Sequence, residues 1–442
     1  MAVDTAKITR ISDCVIENPQ EREYRVNAKV YTDPEIFEME MREFFEKGWV
    51  YVCHEDQIRH NNDYFTAQIG REPVIISRDK EGKIHGLINR CPHRGAAVCR
   101  EHQGNSSNFR CFYHGWSFKN DGEIIGVADR GAYPSNFDMK NHGLKKIPRV
   151  ESYRGFVFAS LSAEGPSLIE HLGNARPYLD VAIDRFADGI EVKKGVTKYG
   201  NVGNWKLQAE NALDYYHPLF VHKSYFDIVA KRGVNRENAS LQFKERVADN
   251  QLYLGRGHAV TIHYRDFLKS GYAEEELFTT DFRTKEWEKK IGPLMAKWTR
   301  KFSMHLLVHP NLLIMEGPAL QIRQIVPVSV DKTEVLGYAY TPKGQSETYT
   351  LRQLKAYMDF LGPVGHGTPD DMAAFASCTL GYQSRLAPWN DLSRGYDREI
   401  TDPKALEIAE LADYELAGNI SDDTIYRGMF NHWKNVLSRA ES

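Results

Sequence analysis

Two short runs constrain this chain more than anything else in it. Cys91-Pro92-His93-Arg94-Gly95 and Cys111-Phe112-Tyr113-His114-Gly115-Trp116 are mixed Cys–His pairs, one C-x-H and one C-x-x-H, with 17 residues between His93 and Cys111. Thiolates are soft ligands suited to iron bridged by sulfide, and imidazoles also suit iron. Two thiolates on one iron and two imidazoles on its neighbour make a [2Fe–2S] centre whose potential is raised by the loss of negative charge. The glycine that closes each run is expected to admit backbone N–H groups close to the cluster sulfurs.

A Cys₂His₂ zinc site uses the same atoms, but it ordinarily pairs cysteine with cysteine and histidine with histidine. The mixed pairing therefore points to a Rieske-type cluster. Cys53, Cys99 and His102 lie nearby but off the pattern and read as ordinary core or surface residues. Six cysteines in 442 residues are too few and too scattered for a disulfide framework, which fits a reducing compartment.

At 442 residues the chain exceeds one ordinary core. Its 42% apolar and 26% charged content is that of a globular protein and excludes global disorder. With 57 basic against 60 acidic residues there is no electrostatic pull toward nucleic acid. No apolar run reaches the roughly 18 residues of a membrane span, and the N-terminus has no apolar signal core, so a cytoplasmic location is expected.

Three segments are expected. Residues 1–46 form an N-terminal helical segment, with Ile36, Phe37, Met41 and Phe44 at helical spacing. Residues 47–163 form a small all-β domain of short runs (WVYVCHE, EPVIISRD, IHGLIN, GFVFASL) punctuated by Asn61-Asn62 and Asp121-Gly122. Residues 164–442 mix strand-like runs (LQFKERVADNQLYLGRG, HAVTIHY, ALQIRQIVPVSV, EVLGYAYTP) with helical ones (274–299 and 402–418), an antiparallel α+β pattern. Neither G-x-G-x-x-G opening a helix nor a phosphate-cradling loop is present, so electrons must arrive from elsewhere.

The second chemical cluster is Asp214-Tyr215-Tyr216-His217-Pro218-Leu219-Phe220-Val221-His222. Asp214 and His217 are i and i+3 and meet on one helix face. His217 and His222 would stand about 140° apart on a regular helix. Pro218 disfavours helix at His217, and a broken turn would bring the two imidazoles together. Two histidines and a carboxylate on one face of Fe(II) leave positions for O₂. From the residues alone the acid is open. Asp370 and Asp371, after Thr368 as N-cap and Pro369 at N1, suit an ordinary helix start equally well, and Glu210, Asp227 and Glu316 compete.

Together these motifs resemble the large (α) subunits of Rieske non-haem iron aromatic-ring-hydroxylating oxygenases over nearly the whole chain. NDYFTAQIGREPVIISRDKEGKIHGLINRCPHRGAAVCR, GNWKLQAEN, QIRQIVPVSVDKTEV and TPDDMAAFASC look most like the benzoate, toluate and anthranilate dioxygenase branch. The resemblance implies an antiparallel sheet gripped by helices in the catalytic domain, packed by the N-terminal segment. It implies that Cys91, His93, Cys111 and His114 hold the cluster, and that His217, His222 and Asp371 hold mononuclear iron. Asp214 would bridge His217 to a cluster histidine of a neighbouring subunit.

The same resemblance implies trimers joined by small β subunits (α₃β₃) and an NADH-dependent reductase, with or without a separate ferredoxin. Electrons would pass His114, Asp214 and His217, and O₂ would hydroxylate an aromatic acid in aromatic-compound catabolism. Salicylate or indole-3-acetate is the runner-up substrate, and a non-catalytic Rieske electron carrier is the alternative of another class. Where the branch often has E-N-G-A-D-G-Y-H, this chain has bulkier Leu213 and Tyr215, so its pocket is expected to differ. Asn211, Ala212, Tyr215, Phe226 and Ile228 are candidate pocket residues. Gln321 and Arg323 are visible candidates for a carboxylate anchor, although a strand arginine is ordinarily a surface ion pair.

Overall fold

The computed structural model describes residues 10–186, 188–231, 249–264, 285–316 and 320–441. The chain forms two compact units, one of residues 41–168 and one in which residues up to 40 join 169–442. The cuts fall at 40/41 and 168/169, against 46/47 and 163/164 expected from the sequence.

The smaller unit is built from short antiparallel strands. Val50–His54 pairs with Phe156–Ser160, which pairs with Arg149–Tyr153. A four-stranded sheet runs Ile84–Ile88, Glu72–Arg78, Asp63–Ile69, Gln103–Asn105, and a three-stranded one runs Ile124–Gly126, Ser117–Lys119, Asn108–Arg110. Both expected turns are present, with Asn62 at φ 70° and Gly122 at φ 90°. Ile75, Leu87, Phe109, Trp116 and Phe118 form a core that also encloses Cys91 and Cys111. Each such buried side chain contributes roughly 1.5–3 kcal/mol.

The larger unit is organised by a meander. Asn250–Gly255, His258–Tyr264, Phe302–Val308, Leu312–Glu316, Leu320–Ser329 and Lys332–Pro342 pair in sequence order, all antiparallel. Ile190–Val192 and Thr197–Val202 both pair with Lys332–Pro342 at one edge. The helical reading of 274–299 holds only in part: Lys285–Ile291 and Pro293–Lys301 are separate helices divided by Gly292 at φ 85°, and residues 265–284 lie outside the described residues. The helical reading of 402–418 is wrong. Its middle is a single 3₁₀ turn, Glu407–Glu410, and Leu416–Asn419 is the edge strand beside Asn250–Tyr253. Tyr414 Oη donates to the Asp402 carbonyl at 2.8 Å and so folds the segment back, and pairing at the sheet edge outweighs helix propensity.

The helix Trp205–Leu213 is lashed to the N-terminal segment by one buried carboxylate. Asp33 caps the helix Pro34–Glu40 by accepting from the Glu35 N–H at 2.9 Å. At its other end Glu40, fully buried, accepts from Trp205 Nε1 (2.8 Å), Lys206 Nζ (2.5 Å) and Trp433 Nε1 (2.6 Å). A buried charge is tolerable when its lone pairs are satisfied this fully.

Behind Trp205 lies a buried histidine quartet. His258 donates to the His171 carbonyl at 2.7 Å and accepts from the His309 N–H at 2.9 Å, and His309 lies 5.6 Å from His432, ring centre to ring centre. Gly257 at φ 82° lets the turn pass, since a Cβ there would sit 2.7 Å from His309 Cγ. Burial above all pushes His258 and His432 down to about 4, and His171 and His309 well below the ordinary value, with a neighbouring histidine or Arg256 adding to it at each. The unfolded chain binds protons at these sites below about pH 6.5 and the folded chain does not, so stability is lost as pH falls from 6.5 toward 4. The gap is on the order of 3 kcal/mol for each of His258 and His432. Glu210 and Asp423, raised by burial to about 8 and about 6, act in the opposite sense, as do Glu399 and Glu415, also raised by burial, and together they offset part of the loss. Denaturant midpoints measured from pH 7 to 4 should therefore fall steeply, and His432→Phe should flatten the slope; a constant midpoint would contradict this.

Candidate metal centres

The helix Trp205–Leu213 begins at Asn204, whose side chain accepts from the Lys206 N–H at 3.1 Å. It ends because the sheet takes its last carbonyls. His305 Nδ1–H donates to the Ala212 carbonyl and Thr261 Oγ1 to the Leu213 carbonyl, both at 2.9 Å. Asp214 is then extended, with φ −83° and ψ 117°. Its Oδ1 accepts from the N–H groups of Tyr216 (2.6 Å) and His217 (3.3 Å) and turns the chain. A second short helix, Pro218–Val221, follows with proline in its first turn and His222 just past its end. The imidazoles of His217 and His222 meet at 5.2 Å between ring centres. Asp214 and His217 thus lie together through this turn rather than on the face of a regular helix.

The acid comes from the helix Thr368–Gly381. Its N-cap is Gly367, one residue earlier than expected, because Thr368 Oγ1 donates to the Leu361 carbonyl at 2.9 Å instead of capping. That phase directs Asp371 inward. Its Oδ1 lies 3.4 Å from His217 Nε2 and 3.3 Å from His222 Nε2, and the three ligating atoms fall within 4.8 Å of one another. The outer nitrogens face carboxylates: His217 Nδ1 is 3.6 Å from Asp214 Oδ2 and His222 Nδ1 is 3.4 Å from Asp370 Oδ2. An acid on Nδ1 fixes the tautomer that aims Nε2 at a metal. The competing acids are engaged elsewhere: Glu210 with Tyr31 (3.0 Å), Asp227 with Lys223 (2.7 Å) and Glu316 with Arg185 (3.0 Å).

Against the pull of burial, the nearby carboxylates of Asp214 and Asp371 raise His217 to about 9, and the imidazoles of His217 and His222 hold Asp371 well below the usual carboxylate range. One carboxylate between two imidazole nitrogens is a place where a positive charge is held, by a proton or by a divalent cation in competition with it. The donor set of two imidazoles and one carboxylate suits iron.

Asn211, a predicted pocket residue, donates through Nδ2 toward Asp371 Oδ1 at 3.3 Å and so sits on this centre. Ala212 is buried. Tyr215 Oη donates to His305 Nε2 at 2.8 Å with its ring 3.7 Å from that of His263, and Leu213 is buried at Thr261. The two bulky replacements thus pack on the sheet. Phe226 is half-buried beside Tyr225, and Ile228 is half-buried. Sequence reasoning missed Phe360, whose ring stands edge-on to His222 at 5.2 Å, and the role of Asp370 behind His222. No local motif marks Phe360, whereas Asp370 was visible as half of an acid pair.

The two Cys–His runs fold as matching turns. Gly95 N–H donates to the Cys91 carbonyl at 2.9 Å and Gly115 N–H to the Cys111 carbonyl at 3.0 Å, with φ 78° and 70°. The glycine N–H groups therefore close the turns rather than reach sulfur; the backbone N–H groups of His93 and Arg94 are the ones directed at the Cys91 thiol. Cys91 and Cys111 are buried and within hydrogen-bond reach of each other. His93 and His114 lie 4.5 Å apart between ring centres, with His93 stacked on Trp116 at 5.2 Å. His93 Nδ1 is buried without a hydrogen-bond partner. An unsatisfied imidazole nitrogen beside two paired thiols fits a [2Fe–2S] cluster ligated as the sequence suggests.

Fold and sites together define a two-centre iron oxygenase, a cluster domain followed by a mononuclear-iron domain. Residues 48–148 match the Rieske [2Fe-2S] domain and residues 191–398 the ring hydroxylating alpha subunit catalytic domain. The chain is 34% identical to the 2-halobenzoate 1,2-dioxygenase large subunit of Burkholderia cepacia, over 97% of this chain and 92% of that one. It is 37% identical to the anthranilate 1,2-dioxygenase large subunit of Acinetobacter baylyi, over 87% and 83% respectively. It superposes on naphthalene 1,2-dioxygenase from Rhodococcus sp. bound to indole with a TM-score of 0.82, at 27% identity and 95% coverage of each chain. The chain belongs to the large (α) subunits of the Rieske ring-hydroxylating dioxygenases. It is thus an oxidoreductase component of a multicomponent system, working with a Rieske cluster and mononuclear iron. Among the described residues, no helix is long and apolar enough to cross a membrane.

Asp371→Ala should lower iron from about three to about two per chain while leaving the cluster's visible absorption intact. Asp370→Ala should retain most of the third iron. Full iron in Asp371→Ala, by metal analysis, would contradict the ligand assignment.

Proposed function

We propose that this chain is the terminal oxygenase subunit of a dioxygenase that hydroxylates an aromatic carboxylate of the benzoate, aminobenzoate or toluate kind, using O₂ and electrons drawn from NADH. The observation that carries this reading is the convergence of His217, His222 and Asp371 on one point. It occurs in a chain whose halobenzoate and toluate dioxygenase relatives match over 97% of its length.

Cys91, His93, Cys111 and His114 would hold the cluster and His217, His222 and Asp371 the iron, which together supply single electrons and O₂ activation. The chain's own residues set the geometry. Asp370 fixes the tautomer of His222, Asp214 places a carboxylate 3.6 Å from His217 Nδ1, and Asn211 restrains Asp371 Oδ1. Burial of His222 and Phe360's ring against it keep bulk water from that side.

The assembly we infer is α₃β₃, served by an NADH-dependent reductase, directly or through a ferredoxin, in the cytoplasm where NADH is at hand. Phe112 and Tyr113, 62% and 54% exposed beside His114, suit contact with a neighbouring subunit. The Asp214 side chain is 31% exposed, which suits a second imidazole approaching from a neighbour. Asp214→Asn, which keeps the side-chain oxygen that accepts from the Tyr216 and His217 N–H groups, should keep both metal centres filled yet lose nearly all substrate-dependent oxygen uptake with reductase and β subunit present. Full turnover in that variant would contradict the bridging role.

A further inference from the structure

Four cations in the described residues are nearly or fully buried: Arg185, Lys206, Arg323 and Arg427, exposed by 3%, 5%, 2% and 2%. Three of them face a carboxylate. Arg185 pairs with Glu316 at 3.0 Å, Lys206 with Glu40 at 2.5 Å and Arg427 with Glu399 at 3.0 Å. Arg323 does not. Its Nε and Nη2 donate to one neutral atom, Gln321 Oε1, at 3.2 and 3.0 Å, and among the described residues no carboxylate pairs with it. A buried charge without a counter-charge is costly, and folds retain one where a ligand completes it.

The surroundings hold Arg323 in place rather than neutralise it. Gln321 Nε2 donates to Tyr357 Oη at 3.0 Å, Tyr357 Oη hydrogen-bonds Thr197 Oγ1, and Thr197 donates to the Gly337 carbonyl at 3.1 Å. This chain fixes the Gln321 amide with its oxygen toward the guanidinium. Gly337 is required there, since a Cβ would lie 2.6 Å from Gln321 Nε2, Thr197 Oγ1 and Tyr357 Oη alike.

The position is on the metal side of the sheet. Gln321 is opposite Met315, which is opposite His305, the residue that closes the ligand helix, and Arg323 is two residues along the same strand on that same face. Tyr199, two residues from Thr197 on the edge strand, reaches Gln208 of the ligand helix at 3.4 Å and lies within the electrostatic reach of both Arg323 and Asp371.

We propose that Arg323, presented by Gln321, binds the carboxylate of the aromatic substrate and so sets the protein's preference for acids over neutral rings. This rests on the aromatic-carboxylate reading above. A guanidinium with no carboxylate partner among the described residues is then completed by the substrate, and its fork suits a carboxylate.

The test titrates the holoprotein with benzoate, 2-aminobenzoate and neutral benzamide by calorimetry, in the native chain, Arg323→Gln and Arg323→Lys, with iron content and the visible spectrum confirming folded, loaded protein. Arg323→Gln should weaken binding of the acids about thirtyfold, the scale of a lost charge-assisted hydrogen bond, and leave benzamide unchanged. Arg323→Lys should recover part of the loss. Unchanged acid affinity in Arg323→Gln, equal loss for benzamide, or no acid binding by the native chain overturns the proposal. Acid binding that depends on Arg323 without oxygen uptake in the reconstituted system would support the anion site while contradicting the substrate reading.

Discussion

The architecture of the mononuclear centre depends on where one helix stops. The carbonyls of Ala212 and Leu213 are taken by His305 and Thr261 from the sheet, so the helix cannot propagate through Asp214. Had it continued, His217 and His222 would diverge by about 140° and no single ion could touch both. Because it stops, Asp214 turns the chain with its own side chain, Pro218 restarts it, and the two imidazoles face one another across Asp371. The sheet thus acts on the metal site through main-chain hydrogen bonds. Glu40, holding Trp205 and Lys206, fixes the other end of the same helix.

A second theme is how the fold pairs charge. Each ligand histidine of this centre has a carboxylate behind it, and three of the four nearly or fully buried cations among the described residues have one in front of them. Against that regularity Arg323 stands out, as does the His93 nitrogen buried beside the two thiols. Both are positions where the polypeptide satisfies a polar group only in part. His93 lies at the cluster turns of the smaller unit, and Arg323 on the metal side of the sheet in the larger one.

Much of this was legible in the residues. Ligand spacing is nearly topology-independent, so Cys91, His93, Cys111, His114, His217 and His222 could be singled out before any fold was known. The short β-branched runs of the smaller unit read correctly because β-branched and aromatic composition and turn residues are local signals. What was not legible depended on contacts distant in sequence. Asp370 and Asp371 obey the same helix-start rules, and only the phase of the helix from Gly367 separates ligand from supporting acid. Residues 402–418 carry helical composition, but an open sheet edge at Asn250–Tyr253 recruits Leu416–Asn419 as a strand. Arg323 looked like an ordinary strand arginine because burial of a whole sheet face is a property of what packs over it.

The claim on which the account stands is that one polypeptide carries a sulfide-bridged iron pair and a separate ferrous ion. Anaerobically purified protein should contain about three irons and about two acid-labile sulfides per chain, with little zinc. Zinc without labile sulfide would contradict the cluster, and two irons with two sulfides would leave the oxygenase reading without its reacting metal.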